Sequence, residues 1–360
     1  MLNKFSLTQL LGMGFAFVQR FQQPKIRTFS LLFAVGLSLT LAVSACSPSA
    51  SNNATQETTS PSPAASASGT TVHIGYQKAS TILYALKAKG ELEKAFAASG
   101  SSVTWSEFPA GPPLLEALNA GSIDFGYTGE SPPIFAQAGG VPLVYVAYDP
   151  WSPKAEAILV PKDSPIKSLA ELKGKKIAFA KGSNANYLLV KALEKAGVQY
   201  SDIQRVTLTP ADARAVFERK KVDAWAIWDP YLAAAEAATG ARTLADATGL
   251  APNRGYYLAA KSFVDAKPDA LKIVLDQVKE VSNWAKNNPG EVAKFLSPAL
   301  GIDAPVLEIA EKRREYDVLP LTDEIITKQQ EVADTFYKIK LIPKEIKVKE
   351  IVWQGKVKNS

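Results

Sequence analysis

The sequence predicts an α/β protein of two lobes, each a doubly wound sheet flanked by helices, with a cleft between the lobes. Two observations predict this fold class. Apolar, β-branched segments alternate with helical segments across short joints rich in glycine, which is typical of parallel sheets covered by helices. The alternation also restarts after residue 160, so two sheets are expected. The 360 residues are 47% hydrophobic and 21% charged, which is enough for two cores.

The first round of the alternation is marked by ordinary helix signals. Gly90 follows one predicted helix, Pro113 lies in the first turn of the next, and Gly121 follows its end. Short runs rich in β-branched and aromatic residues between these signals indicate strands. The predicted strands are 71–76, 103–108, 123–127, 141–148 and 156–160, and the predicted helices are 80–89, 112–120 and 131–138.

The second round has the same form, and a helical region follows it. Its predicted strands are 176–180, 205–208 and 223–227, and its predicted helices are 184–196, 211–220 and 230–238. A strand over 256–260 is expected to cross back to the first lobe, before helices over 268–287, 290–296, 305–316 and 323–339. The first lobe is therefore predicted to comprise 71–160 and 256–360, and the second lobe 161–255.

The first 45 residues have the pattern of a lipoprotein signal peptide. Lys25 and Arg27 precede an apolar run over 29–45, which is short for a stable membrane span. The run ends in the sequence VSAC at 43–46, which resembles a bacterial lipobox, so cleavage and lipidation of Cys46 are expected. An uncleaved anchor helix is the alternative, and translation from Met13 instead of the first Met is also open.

Residues 46–70 are predicted to be a disordered tether rich in Ser, Ala and Pro. They contain no Leu, Ile, Val or aromatic residue, so they cannot bury enough apolar surface to fold. A signal peptide, a lipidated cysteine and a tether predict a periplasmic protein anchored by lipid to a bacterial membrane.

The residue counts exclude several kinds of site. The chain has one Cys and one His, so it can form neither an intrachain disulfide nor a Cys/His zinc cluster. The lone His73 is expected to be a packed or surface residue of its strand. Four of the six net positive charges lie in residues 1–45, so the basic balance is weak evidence for nucleic-acid binding. No metal, cofactor or catalytic residue is expected.

Eight short motifs carry a resemblance to a known family. They are GYQK at 75–78, EFPAGP at 107–112, LEALN at 115–119, GSIDFGYTGE at 121–130, PPIFAQA at 132–138, KGSN at 181–184, TPADAR at 209–214 and VDAWAIWDPY at 222–231. In this order they resemble the aliphatic-sulfonate-binding proteins of ABC importers. Proteins that bind taurine, nitrate or thiamine precursors are more distant relatives. The resemblance covers the chain from Val72 to Trp353.

The resemblance implies a monomeric type II periplasmic binding protein. In this family a small anion binds between the lobes, the lobes close over it, and the closed form docks on a membrane permease. The resemblance thus implies capture of aliphatic sulfonates for sulfur uptake, without an enzymatic reaction. Taurine, nitrate or a thiamine-precursor pyrimidine is the alternative ligand, and an enzyme on the same scaffold is the disfavoured alternative.

Three joints between a strand and a helix are candidates for holding an anion. Helix N-termini present unpaired N–H groups and the positive end of the helix dipole, and small residues let the backbone approach a ligand. Ordinary helix capping by the same residues is the competing interpretation for each joint alone. The candidates are Gln77, Ser80 and Thr81 in the first joint, Thr128, Gly129 and Glu130 in the second, and Gly182, Ser183 and Asn184 in the third.

Three further residues complete the predicted site. Trp228 is expected to cover the carbon part of the ligand, while Trp225 is expected in the core. Asp229 is a candidate for contact with a ligand amine, or it is simply a helix cap. Arg254 precedes the strand that crosses back and could reach the ligand. Glu130 stands where relatives often have Asp, and a carboxylate beside a sulfonate requires a cation or an amine.

Overall fold

The computed structural model describes residues 69–355. The predicted signal peptide, the lipidation of Cys46, the start at Met13 and nearly all of the tether fall on residues 1–68 and lie outside the described residues. Within the described part, no helix combines the length and apolar character that crossing a membrane requires.

Two five-stranded sheets organise the described residues. The strands are β1 (Thr71–Gln77), β2 (Ser102–Phe108), β3 (Phe125–Gly129), β4 (Leu143–Tyr148), β5 (Glu156–Val160), β6 (Lys176–Phe179), β7 (Gln204–Thr207), β8 (Ala224–Trp228), β9 (Arg242–Asp246) and β10 (Gly255–Ala260). The first sheet has the order β2-β1-β3-β10-β4, and the second has the order β7-β6-β8-β5-β9. Two sheets were expected, although β9 was not among the predicted strands.

Each sheet contains one strand that runs against its neighbours. In the first sheet β10 lies antiparallel between β3 and β4, and in the second β5 lies antiparallel between β8 and β9. These are the two strands by which the chain enters the other sheet, after β4 and after β9. The sheets are therefore mixed rather than wholly parallel. Strand β5, which begins at Glu156, belongs to the second sheet, whereas the sequence analysis placed 156–160 in the first lobe.

Helices cover both sheets. They are α1 (Thr81–Lys89), α2 (Glu91–Ala97), α3 (Gly111–Asn119), α4 (Ser131–Ala138), α5 (Asn184–Lys195), α6 (Pro210–Glu218), α7 (Tyr231–Thr239), α8 (Lys261–Ala266), α9 (Pro268–Asn287), α10 (Pro289–Leu300), α11 (Ala304–Lys312) and α12 (Asp323–Lys338). We call the first sheet with α1–α4 and α8–α12 the first lobe, and the second sheet with α5–α7 the second lobe.

The last helices bring the two lobes together. Helix α9 packs on α1 and α2 of the first lobe, while α11 contacts α7 of the second lobe. The sequence analysis extended one helix over 305–316, but α11 ends at Lys312. Arg313 and Arg314 therefore leave the helix at the boundary between the lobes.

The core agrees with the hydrophobic pattern of the strands. Strands β4, β5 and β10 are almost wholly buried, as expected for strands covered on both faces. Trp225 on β8 is fully buried and packs against Phe217, with 5.6 Å between ring centroids. Burying a large apolar side chain of this kind contributes about 2–3 kcal/mol to stability. Trp225 therefore belongs to the core, as the sequence analysis expected.

Candidate ligand-binding cleft between the two lobes

A cleft lies between the lobes at the carboxyl ends of four strands. Residues at or just after the ends of β1, β3, β6 and β8 contribute to its walls, together with the loops that precede β5 and β10. The space between these walls, open solvent included, is about 620 Å³. Strand ends in α/β sheets are the ordinary place for a ligand because helices begin there. Of the predicted site residues, those that line the cleft are Gln77, Ser80, Gly129, Ser183, Asn184, Trp228 and Arg254.

The start of α1 lines the cleft and holds a hydroxyl without a hydrogen-bond partner. Ser80 is the residue before α1, is buried, and its Oγ has no hydrogen-bond partner among residues 69–355. Gln77 is held in place because its Nε2 donates to the carbonyl of Tyr127 at 2.9 Å. Since buried polar atoms are nearly always paired, the Ser80 hydroxyl is a donor suited to a ligand oxygen.

The starts of α4 and α5 meet each other across the cleft. Ser183 precedes α5, and its hydroxyl donates to the carbonyl of Ala180 at 2.6 Å. Asn184 accepts from the backbone N–H of Ser131 at the start of α4, at 3.3 Å. The side chain of Asn184 thus occupies a helix start that the sequence analysis assigned to the ligand.

The remaining predicted site residues lie behind the cleft walls. Thr81 donates to Glu311 at 3.0 Å, and Thr128 donates to the carbonyl of Gly129 at 3.0 Å. The backbone N–H of Gly182 donates to Asn186 Oδ1 at 3.1 Å, and Gly182 has a φ of 73°, which suits glycine. These three residues shape the joints and do not face the cleft.

Asp229 acts as a helix cap and an ion-pair partner. Its Oδ1 accepts from the backbone N–H of Ala233 in α7 at 2.9 Å, and its Oδ2 lies 3.4 Å from Arg313 Nη1. Burial raises the pKa of Asp229 to about 6, while the nearby Arg313 and Arg314 oppose that shift. Its side chain is fully buried and does not line the cleft.

Glu130 is a buried carboxyl between the lobes. Its Oε2 accepts from Asn184 Nδ2 at 2.6 Å and from the backbone N–H of Arg254 at 2.9 Å. Its Oε1 has no partner in the described part of the chain. Burial raises the pKa of Glu130 to about 8, against the lowering effect of backbone N–H donors and of Arg254.

Glu156 at the start of β5 is a second buried carboxyl beside the first. Neither of its oxygens has a hydrogen-bond partner within residues 69–355. Burial, with the nearby Glu130, raises its pKa well above the ordinary value. Both carboxyls are therefore favoured in their neutral form, which keeps two negative charges away from the cleft.

Two arginines face the cleft, and the sequence analysis found only one of them. Arg254 is 3% exposed, and its guanidinium carbon lies 5.4 Å from the ring centroid of Tyr148 and 5.6 Å from that of Trp151. Arg314 follows α11 and lines the same cleft. In both residues Nε is buried without a hydrogen-bond partner in the described chain.

One buried carboxylate lines the cleft with these arginines. Asp149 Oδ1 accepts from the backbone N–H of Gly255 at 2.6 Å, and its Oδ2 accepts from Tyr127 Oη at 2.5 Å. Burial raises the pKa of Asp149 to about 6, while the Tyr127 bond and the charges of Arg314 and Arg254 oppose the shift. At neutral pH the buried charges on the cleft walls are therefore two positive and one negative.

Charged residues of two motifs and the single histidine lie away from the cleft. Lys78 is exposed, and Arg214 pairs with Glu218 of its own helix at 2.7 Å. His73 Nδ1 lies 2.6 Å from Thr104 Oγ1 on the neighbouring strand. Within residues 69–355 no cluster of His, Cys, Asp and Glu has the arrangement of a metal site.

Comparison with known proteins places the chain in a family. The NMT1/THI5-like profile matches residues 95–292. Over 292 residues the chain is 44% identical to a protein of Escherichia coli (strain K12) named as an aliphatic sulfonates-binding protein, which covers 81% of this chain and 91% of the relative. The chain belongs to the NMT1/THI5-like family. The family resemblance carried by the motifs is therefore confirmed.

Solved structures of similar proteins share the two-lobed fold. The alkanesulfonate-binding protein SsuA from Xanthomonas axonopodis pv. citri bound to MOPS has a TM-score of 0.76 and 42% identity, over 79% of this chain and 98% of that chain. The periplasmic aliphatic sulphonate binding protein SsuA from Escherichia coli has a TM-score of 0.73 and 43% identity, over 81% and 95%. The predicted fold class, a two-lobed α/β periplasmic binding protein, is confirmed.

The comparisons also separate this family member from enzymes of the same fold. The relatives described above, each more than 40% identical, are binding proteins. A desulfurization enzyme matches with a TM-score of 0.59 but only 15% identity, which shows a shared fold alone. The prediction of a binding protein rather than an enzyme is confirmed.

Several cleft residues of this family member escaped the sequence analysis. Asp149 and Ser152 precede β5, and Asn253 precedes β10, so all three lie where the chain crosses between lobes. The crossover positions were predicted and could have identified them. Arg314 carried no such signal, because the helical pattern over 305–316 placed it inside a helix.

Proposed function

We propose that this chain is an extracytoplasmic solute-binding lipoprotein that captures aliphatic sulfonates between its lobes. It then delivers them to the permease of an ABC importer for sulfur uptake. The observation that carries the proposal is the pair of arginines, Arg254 and Arg314, that line one cleft together with Trp228.

The charges of the cleft suit a single monovalent anion. Arg254 and Arg314 together exceed the one buried carboxylate, Asp149, by one positive charge, and Glu315 on the rim is exposed to solvent. A sulfonate carries one negative charge at any physiological pH and offers three acceptor oxygens. A guanidinium group can donate two parallel N–H bonds to two oxygens of such an anion.

The organic part of the ligand has an apolar surface to cover it. Trp228 ends β8, is half-buried and lines the cleft, as does Pro132. Aromatic surface of this kind stabilises an alkyl chain by removing it from water. Nitrate and sulfate have no carbon chain that could contact this aromatic surface. The related Xanthomonas protein was solved with MOPS, which is itself a sulfonate.

The N-terminal sequence supports a role outside the cytoplasm. The lipobox-like end of the apolar run would leave Cys46 as a lipidated N-terminus, and 46–70 would tether the lobes to the membrane. The related Escherichia coli structure is of a periplasmic protein. A tethered binding protein remains near the permease to which we assign delivery.

Calorimetric titration tests the proposal. Residues 69–360, which contain both lobes, are unfolded and refolded to remove carried-over ligand. They are then titrated with ethanesulfonate, taurine, MOPS, sulfate and nitrate. We expect binding of ethanesulfonate that sulfate and nitrate do not match. Binding of taurine alone would assign the chain to aminosulfonates, and binding of none would move the ligand to another class, with thiamine precursors tested next.

A further inference from the structure

Arg314 connects the two lobes at the cleft. Its Nη1 donates to the carbonyl of Ala79 at 2.9 Å, and its Nη2 donates to the carbonyl of Asp229 at 2.5 Å. Ala79 lies between β1 and α1 of the first lobe, and Asp229 lies between β8 and α7 of the second. One guanidinium group therefore holds a strand–helix joint of each lobe.

The same side chain keeps donors for a ligand. Its Nε is buried and has no hydrogen-bond partner among the described residues, although the residue lines the cleft. A guanidinium has five N–H donors in a fixed plane, and two of them reach the two carbonyls. Three N–H groups of this cleft-lining side chain therefore remain for a ligand oxygen, and buried donors are nearly always paired.

We propose that Arg314 binds the anionic group of the ligand while its terminal nitrogens join the lobes, so that anion capture and lobe closure depend on one side chain. This inference rests on the proposed function of the cleft. The bound anion also compensates the excess positive charge of Arg254 and Arg314, which favours the closed arrangement.

A lysine cannot replace Arg314 in this arrangement. Its single ammonium group is a compact charge without a planar fork, so it cannot reach two carbonyls and a ligand oxygen together. The charge alone is therefore insufficient, and Arg314→Lys separates the role of charge from the role of geometry.

Arg313 provides a matched control next along the chain. It also reaches across to the second lobe, where its Nη2 lies 2.6 Å from Glu236 Oε2 and its Nη1 lies 3.4 Å from Asp229 Oδ2. It does not line the cleft. Arg313→Gln thus removes contacts between the lobes without removing a ligand donor.

The experiment compares the wild type with Arg314→Gln, Arg314→Lys and Arg313→Gln. Affinity for ethanesulfonate is measured by calorimetry, and closure is measured as the fall in radius of gyration on ligand addition by small-angle X-ray scattering. We expect Arg314→Gln to lose at least a hundredfold in affinity and Arg314→Lys at least tenfold, with a smaller compaction in both. Arg313→Gln should stay within fivefold of the wild type.

Three results would overturn the inference. They are affinity of Arg314→Gln within threefold of the wild type, full recovery in Arg314→Lys, or equal losses in Arg314→Gln and Arg313→Gln. Circular dichroism of each variant confirms folding, and Arg314→Lys decides the question if Arg314→Gln fails to fold. Failure of the proposed function is a different result. In that case the wild type binds no sulfonate, and the variants are compared with whichever anion from the panel it does bind.

Discussion

The side-chain amide of Asn184 donates from the second lobe to the buried carboxyl of Glu130 in the first, with 2.6 Å between Nδ2 and Oε2. The same amide group donates to Asn253 Oδ1 at 3.1 Å, and its own oxygen accepts from Ser131 N–H at 3.3 Å. The amide nitrogen and oxygen of this one side chain are therefore both bonded, to the first lobe and to the segment before β10. Such an arrangement is possible only if the backbone opposite Asn184 comes close.

Gly129 allows this close approach, and a methyl group there should prevent it. A Cβ atom at Gly129 would lie 2.0 Å from Asn184 Oδ1, far inside a normal contact. We expect Gly129→Ala to hold the lobes apart and to lower the affinity for ethanesulfonate at least tenfold. Calorimetry measures the affinity, and small-angle scattering should show less compaction on ligand addition.

Gly290→Ala serves as the control for this substitution. Its added Cβ would meet nothing closer than 3.6 Å, in α10 of the first lobe, so affinity should be unchanged. If Gly129→Ala bound ethanesulfonate as tightly as the wild type, the side chain of Asn184 would be able to move away from the added methyl group without loss of affinity. The contact between Asn184 and Glu130 would then play no part in closure.

The buried Glu130 should make the protein less stable as the pH rises. Its pKa is raised from the ordinary 4.5 to about 8. Between these two pH values the folded chain therefore keeps a proton that the unfolded chain has already lost. Because the folded state binds more protons, the free energy of unfolding falls with rising pH, by at most about 1.4 kcal/mol per pH unit for one proton. Asp149 and Asp229 act in the same direction only up to about pH 6.

Glu130→Gln should remove the contribution of Glu130 to this slope, while the buried Glu156, whose pKa is also raised, keeps its own. Gln carries no charge and can still accept from Asn184 and from the Arg254 N–H. We expect the variant to gain stability over the wild type steadily from pH 6 to pH 8, as measured by urea unfolding at three pH values. Glu116→Gln, at an exposed site on α3, controls for the change in net charge. If the free energy of unfolding changed with pH equally in the wild type and in Glu130→Gln, Glu130 would not be the source of this slope.

The sequence predicted the sheets well because their pattern is local. Apolar strands followed by glycine-rich joints are visible in a short window, and every predicted strand is present. The sequence did not predict that β5 and β10 run antiparallel to their neighbours, because this depends on where the chain crosses between the lobes. Strand β9 has only partly buried or exposed residues, so it lacks the apolar run that marks the others.

The candidate site was less predictable because it is built from distant segments. The joint residues Ser80, Ser183 and Trp228 could be identified from local signals, and the structure brings them to one cleft. The same signals also selected Thr81 and Thr128, whose side chains turn inward to other partners. Which residue of a joint faces the cleft depends on packing against the other lobe, and no local pattern encodes that.

Trp228 should determine the preference for ligands with longer carbon chains. It lines the cleft and is half-buried, so an alkyl chain can displace water from its ring. Each CH₂ group removed from water contributes up to about 0.8 kcal/mol. We expect Trp228→Ala to weaken butanesulfonate binding more than methanesulfonate binding, in calorimetric titrations of both ligands. Trp228→Phe keeps an aromatic ring and should retain most of the preference. An equal loss for both ligands would show that Trp228 does not contact the chain.

Cys46 should decide whether the protein stays with the membrane. It is the only cysteine in the sequence and ends the lipobox-like segment, so Cys46→Ser removes the sole residue that could carry a thioether-linked lipid. A single acyl chain binds membranes only weakly, whereas several chains on one N-terminus hold a protein firmly. We expect the wild type in the membrane fraction of a bacterial host and labelled by radioactive palmitate. Cys46→Ser should lose the label, and a Ser51→Ala variant in the tether should keep it. Palmitate label on Cys46→Ser, or none on the wild type, would contradict lipidation, and the apolar run over 29–45 would then be the membrane anchor.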